Sequence, residues 1–189
     1  MTVNYQGTGA GKRFEKDVLD ACNIDTRGTA NRYGVQVSIV DGNLIRIPSL
    51  PDIEGIVGTG GWQFIAECKV CSGASFPLRK YTEAKKNSRR QLEHMLTRAQ
   101  YGVTCFFLLH FNSRKTKTIE QHAVTYAVPV HYNLPLWREF AARERMVIGR
   151  NECRDDDVAV EVQWNTIGDR GRKLRPDVYG TVLRLRPTL

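Results

Sequence analysis

At 189 residues, 41% hydrophobic and 25% charged, the chain has the length and composition of one globular domain with room for a small extension. No run approaches the roughly 18 apolar residues of a membrane span, and the opening MTVNYQGTGAGKRFEKD lacks the apolar stretch of a secretory signal, so a cytoplasmic protein is expected. Lys and Arg number 28 against 20 Asp and Glu, a net +8 with a pI near 9.4, which favours a polyanionic partner, nucleic acid or anionic membrane.

Phe14, Val18, Leu19 and Cys22 recur at helical spacing and predict a helix over residues 10–23, with Gly11 near its start. The stretch VQVSIVDGNLIRIP alternates apolar and polar residues on both sides of Asp41-Gly42-Asn43, a hairpin pattern. A third strand is expected to run from Asp52 to Val57. Gly58-Thr59-Gly60-Gly61 turns the chain, and residues 62–70 form a fourth strand. Residues 82–100 read as one long basic helix that buries Leu92, Met95, Leu96 and Ala99 and ends at Gly102. VTCFFLL, residues 103–109, is apolar throughout, as a strand buried on both faces would be. Another strand is expected around residues 122–130, then a short helix over 134–143 carrying Trp137 and Phe140. This order predicts an α/β fold, a central mixed β-sheet flanked by helices. Residues 1–149 would form the main domain. Residues 150–189, with Asp155-Asp156-Asp157, a strand-like VAVEVQW and a basic GDRGRKLRP, read as an extension that adds a sheet edge or wraps a partner.

Alternation along residues 62–70 puts Trp62, Phe64, Ala66, Cys68 and Val70 on one face, and Gln63, Ile65, Glu67 and Lys69 on the other. Glu67 and Lys69 are thus a carboxylate beside an ammonium. Pairing across the glycine turn can bring Asp52 to the Glu67 end of its neighbour, although the pattern does not fix the register. Phosphodiester hydrolysis needs such a set: carboxylate oxygens for Mg²⁺, a metal to activate water, and a cation to stabilise developing charge. Glu-x-Lys alone is equally a surface ion pair on a solvated strand. The preceding Pro51-Asp52 and the helix bearing Glu15 are what raise the nuclease reading.

The five cysteines include a Cys68-x-x-Cys71 pair, but no second cysteine or histidine pair completes a zinc site, and Cys68 reads as core. Histidines 94, 110, 122 and 131 show no ligand spacing. Ser72 and Ser75 have no base partner in the pattern, and Glu54 is a spare ligand at most. The cations Lys12, Arg13, Arg79, Lys80, Lys85, Lys86, Arg89 and Arg90 are candidate phosphate contacts. A second basic group spans Arg170, Arg172, Lys173 and Arg175.

Pro51-Asp52 followed by Glu67-Cys68-Lys69 resembles the PD-(D/E)xK nuclease signature, and Gly11-Lys-Arg-Phe-Glu15 resembles the acidic first helix of that superfamily. Ser75-Phe-Pro-Leu78, Gln91-Leu-Glu-His-Met95 and Gly102-Val-Thr-Cys-Phe-Phe107 are similar to the corresponding run of RecU-type Holliday junction resolvases. The resemblance covers residues 9–140. It implies a restriction-endonuclease-like sheet and a homodimer cutting four-way DNA junctions symmetrically, in a bacterial or phage setting. It implies Mg²⁺, with Mn²⁺ as a substitute, held by Asp52 and Glu67, and by Glu15 directly or through water. Lys69 would be the catalytic lysine and Gln91 would stand at the pocket rim. The stalk of that family is short or absent here, since 28 residues separate Asn23 from Asp52 and the hairpin fills most of them. The reading that follows is a structure-selective DNA endonuclease. An end-processing or sequence-specific nuclease, and a non-catalytic DNA-binding protein, are its rivals.

Overall fold

The computed structural model describes residues 3–32, 37–40, 43–46, 51–82, 86–115, 120–155, 158–166 and 173–185. At 37–40, 43–46, 82, 86 and 87 it describes the backbone alone. The chain opens with helix α1 (Ala10–Ile24), which buries Phe14, Val18, Ala21 and Cys22 along one stripe. Strand β1 (Gly28–Arg32) follows, then the hairpin β2 (Val37–Val40) and β3 (Asn43–Arg46), whose backbones pair with Ile39 opposite Leu44. Next come β4 (Ile53–Val57), the glycine turn, β5 (Trp62–Cys71) and β6 (Ser75–Pro77). Helices α2 (Arg79–Thr82) and α3 (Lys86–Gln100) lead to β7 (Thr104–Phe111), the short pair β8 (Arg114–Lys115) and β9 (Glu120–Gln121), and β10 (Val124–Pro129). Helix α4 (Pro135–Ala141), β11 (Val147–Gly149), α5 (Arg150–Asp155), β12 (Val160–Glu161), β13 (Trp164–Thr166), β14 (Leu174–Pro176) and α6 (Val178–Leu185) complete the described chain.

Six strands form the main sheet in the order β1-β4-β5-β7-β10-β12. The β5–β7 pairing is parallel and the others are antiparallel, so the sheet is mixed. The expected α/β class, a mixed sheet with helices on both sides, is the architecture found. Strand pleating sorts the core into two layers. Phe64, Ala66, Cys68, Phe106 and Leu108 pack toward α1 and α6, with Phe14, Val18, Val178 and Tyr179. Ile65, Cys105, Phe107, Leu109 and Phe111 pack toward α3 and α4, with Leu92, Met95, Trp137 and Phe140. All eight residues of β7 are buried, because helices cover both of its faces. Each large apolar side chain so buried contributes about 1.5–3 kcal/mol. Gly55 lets β4 lie on this layer, since a Cβ there would stand 2.5 Å from a ring carbon of Phe64.

Two expectations differ from the structure, and one strand was not foreseen. Of the helix expected over 82–100, α3 covers Lys86–Gln100 and Thr82 ends α2, while 83–85 lie outside the described residues. The chain is pinned just ahead of α2 at Leu78, whose N–H bonds to Met146 O at 2.9 Å. The strand expected over VAVEVQW is divided into β12 and β13, and part of the basic loop is strand β14. The polar β1 carried no strand pattern, since Ala30 is its one buried residue.

The last segment joins the same layers. Strand β12 extends the sheet beyond β10, pairing Val160 with Ala127. Helix α6 packs Val178, Tyr179 and Val182 against the α1 layer, and the Tyr179 hydroxyl donates to Cys22 O at 3.1 Å. Lys173 pairs with Asp17, and Arg175 lies 3.6 Å from Asp20. Both cations thus pair with carboxylates of α1.

Candidate active site

The antiparallel register of β4 and β5 sets Ile53 opposite Ala66, which carries Asp52, one residue earlier, to the level of Glu67. The backbone N–H of Asp52 donates to Glu67 Oε2 at 3.1 Å. In return, Asp52 Oδ2 accepts the N–H of Cys68 at 2.8 Å. Each acid is thus held by the other's strand. Lys69 Nζ pairs with Glu67 Oε1 and lies 3.8 Å from Asp52 Oδ2, so one ammonium serves two carboxylates.

Burial grades these groups. Glu67 has no exposed surface, while the side chains of Asp52 and Lys69 are 23% and 33% exposed. Burial raises the Glu67 pKa to about 7, with Asp52 adding to the rise and Lys69 opposing it. Burial works against the Lys69 charge too, yet Glu67 and Asp52 outweigh it and lift its pKa above the ordinary value. Both values are raised, whereas an ion pair alone would lower that of the acid; burial explains the difference, because the deeper Glu67 loses more hydration than Lys69 returns. Glu15 comes from α1, on the other side of the sheet. Its carboxylate pairs with Arg32 at 2.7 Å. Its pKa is raised by burial and by Asp52, against the pull of Arg32 and Lys69.

Glu15, Asp52 and Lys69 line one cleft of about 710 Å³, walled on its far side by the glycine-rich segment before α1. That wall is fastened in place. The Tyr5 N–H donates to Asn112 Oδ1 at 2.7 Å, and Asn112 Nδ2 donates back to Tyr5 O at 2.5 Å. Tyr5 also donates its hydroxyl to Asp17 at 2.8 Å. Gly7 and Gly9, with φ of 73° and 81°, take the left-handed conformation that turns this segment into α1. Arg13 donates to Thr8 O at 3.1 Å and to Gln6 O, which makes it a tie for the wall, while Lys12 is exposed.

Among the described residues, no three His, Cys, Asp or Glu side chains close around a common point. The donor set still suits a hard divalent cation. Mg²⁺ keeps several waters and takes one or two carboxylates rather than a full protein cage. Burial raises the carboxyl pKa values of Glu15 and Glu67 although each has a cation beside it, Arg32 for Glu15 and Lys69 for Glu67.

No protein-family model matches the chain, and no curated protein matches it. Among solved structures, one that is similar is Hjc, a Holliday junction resolvase from the archaeal hyperthermophile Archaeoglobus fulgidus. Identity is 21%, the match covers 64% of this chain and 72% of that one, and the TM-score is 0.37. At that level no function passes from one to the other.

The remaining candidates divide. Gln91 is buried on the inner face of α3 and does not line the cleft, contrary to its expected place at the rim. Its neighbours Leu92 and Met95 are turned into the core. Arg79, Lys80, Arg89 and Arg90 are exposed, and Arg89 pairs with Glu93 at 2.7 Å. Lys85 lies outside the described residues, as does the Lys86 side chain. Glu54 is exposed and borders a separate cavity with Gln63 and Arg98. Cys68 and Cys71 are both buried free thiols, but they pack into opposite layers and make no joint site. His110 is buried with Nδ1 2.8 Å from Thr125 Oγ1 and serves the core. Sequence reasoning missed Tyr81, which is 3% exposed and within electrostatic reach of Lys69, Glu67 and Asp52. It also missed the anchoring Asn112 and the ion-pairing Arg32. The glycines at 7, 9 and 11 were the one available signal for the cleft wall.

Proposed function

We propose that the chain is a Mg²⁺-dependent DNA endonuclease of the PD-(D/E)xK kind, with Asp52, Glu67 and Lys69 at its centre. The observation that carries this reading is the β4–β5 register, which joins Asp52, Glu67 and Lys69 into one hydrogen-bonded group at the edge of an open cleft. Asp52 and Glu67 would hold the cation, with Glu15 reaching it directly or through water. A bound divalent cation supplies a polarised phosphate and a water of lowered pKa. Asp52, which lines the cleft, is fixed for this role by the Cys68 N–H on one of its oxygens. Lys69, part-exposed, is positioned to meet charge that develops on a phosphate oxygen. Glu67 must be ionised to act as a ligand, and its buried setting makes that ionisation depend on neutralising charge.

The finer reading is a junction-resolving enzyme acting as a homodimer, because two symmetric cuts need two sites related by a two-fold axis. The support for it is the similarity of residues 9–140 to the resolvase motifs. Cleavage of a synthetic four-way junction, linear duplex and single strand, with Mg²⁺ or Mn²⁺ and with chelator, tests both levels. Metal-dependent cutting confined to the junction is expected, together with a dimer by sedimentation. Cutting of duplex alone would move the reading to a sequence-specific or end-processing nuclease.

One observation favours a non-catalytic DNA-binding protein: the ammonium of Lys69 already satisfies both carboxylates. Absence of cleavage on every substrate, with DNA binding retained, would decide for that rival.

A further inference from the structure

Lys69 lines two cavities. At the β5–β6 turn lies a second one of about 430 Å³, which shares Lys69, Val70 and Ser72 with the first. Its polar lining is Lys69, Ser72, Ser75, Lys80, Tyr81 and Ser88. Among the described residues around it there are two ammonium groups, three aliphatic hydroxyls and a phenol, and no carboxylate. The first cleft has the opposite character, with Glu15 and Asp52 in its wall. A cavity with cations and hydroxyl donors alone matches a phosphate, which is acceptor on every oxygen. Tyr81 is held rigidly there, its ring against Phe107 at 5.3 Å and Phe76 at 6.0 Å. Ser88 comes from the first turns of α3, Lys80 from α2 and Ser72 from the end of β5, so three elements converge on the space.

We infer that this second cavity is a binding site for a backbone phosphate next to the one that reacts, with Lys69 at the divide between the anion site and the cation site. Such a site fixes the direction and spacing of the strand across Asp52, which a basic surface alone does not do. A DNA phosphodiester is its ligand only if the chain acts on DNA, so this assignment rests on the endonuclease reading. Free inorganic phosphate has the same chemistry and is the other source to be separated.

The test uses the whole chain as Lys80→Ala, Lys80→Arg and Ser88→Asp variants. Lys80 is exposed, and an acid at Ser88, in the first turn of α3, suits the helix dipole. Neither change therefore threatens the fold. In metal-free binding to duplex DNA, Lys80→Ala should lower the slope of log K against log salt by about 0.9. Lys80→Arg should restore it, and Ser88→Asp should weaken binding. A single methylphosphonate beside the cut bond should slow single-turnover cleavage by wild type about tenfold, the scale of one charged hydrogen bond, and should not slow Lys80→Ala further. Wild-type affinity and slope in both Lys80→Ala and Ser88→Asp would overturn the site, as would full methylphosphonate sensitivity in Lys80→Ala. Titration with inorganic phosphate that depends on Lys80, while DNA binding does not, would overturn the DNA assignment. A chain that cuts nothing with Mg²⁺ or Mn²⁺ but keeps the Lys80-dependent slope would remove the nuclease reading and leave the phosphate site standing.

Discussion

Lys69 stands between two acids that have no other cation within ion-pair distance among the described residues, and its removal has two separable effects. Lys69→Ala takes away a donor to the transition state, for which losses of about 10²–10³-fold in single-turnover rate are typical. It also leaves Glu67 buried without its partner, which moves the Glu67 pKa further up, so the acid limb of cleavage should shift to higher pH. A rate loss with no shift of that limb would mean that Lys69 does not set the ionisation of Glu67. In the wild type, cleavage should fall at acid pH as Glu67, whose carboxyl pKa burial raises, takes up a proton and no longer serves as a ligand. The stability effect has the opposite sign. Between the ordinary carboxyl value of 4.5 and about 7 the native state binds the extra proton, so the Glu67 contribution to stability is full below 4.5 and is lost as pH rises through about 7. Glu67→Gln should flatten that decline, as urea denaturation at pH 5 and pH 8 would read. Of these three residues, Glu67 and Lys69 were legible as neighbours on one face from the period of two. Their depth was not, because burial of that face depends on α3, which is distant in sequence.

Strand β7 shows what an element adds. Its eight buried residues follow from an unbroken apolar run, so both its existence and its two-sided burial were readable. His110 was readable only as a residue near the strand's end. Its ring packs edge-on to Tyr5 at 4.9 Å and to Trp164 at 6.0 Å, partners more than fifty residues away in each direction. Burial depresses its pKa to about 4, against the ordinary 6.5. The unfolded chain therefore takes up a proton first as the medium is acidified. The stability His110 contributes is present above 6.5 and lost as pH falls through about 4. His110→Phe should flatten the acid side of the stability profile between pH 6.5 and 4. An unchanged acid slope in thermal or urea melts would show that His110 is not what titrates there. The helix expected over 82–100 was read from a stripe that belongs to α3 alone. The short α2 ahead of it had no local signal, and the chain there is held by a partner far along the sequence, Met146 O on the Leu78 N–H.

At the scale of the molecule, the last segment is the clearest case of packing deciding what pattern left open. Helix α6 seats Tyr179 at 1% exposure against Phe64, with ring centroids 6.0 Å apart. Tyr179→Ala should cost about 3–5 kcal/mol of global stability, as deletion of a buried aromatic does. A loss near zero in urea titration would make α6 peripheral. From the sequence alone came the α/β class, the basic charge, the helix bearing Glu15, the two strands bearing Asp52 and Glu67, and the side-by-side placement of Glu67 and Lys69. These follow from periods of 3.6 and 2 and from turn residues, which act over a few positions. Tertiary structure alone decided the register that sets Asp52 against Glu67, the cleft closed by a glycine segment tied to Asn112, and the cavity shared by Lys69, Lys80 and Ser88. It also decided the pairing of Lys173 and Arg175 with α1. Each depends on which distant segments meet, and that is fixed by how two core layers pack across one sheet rather than by any local preference.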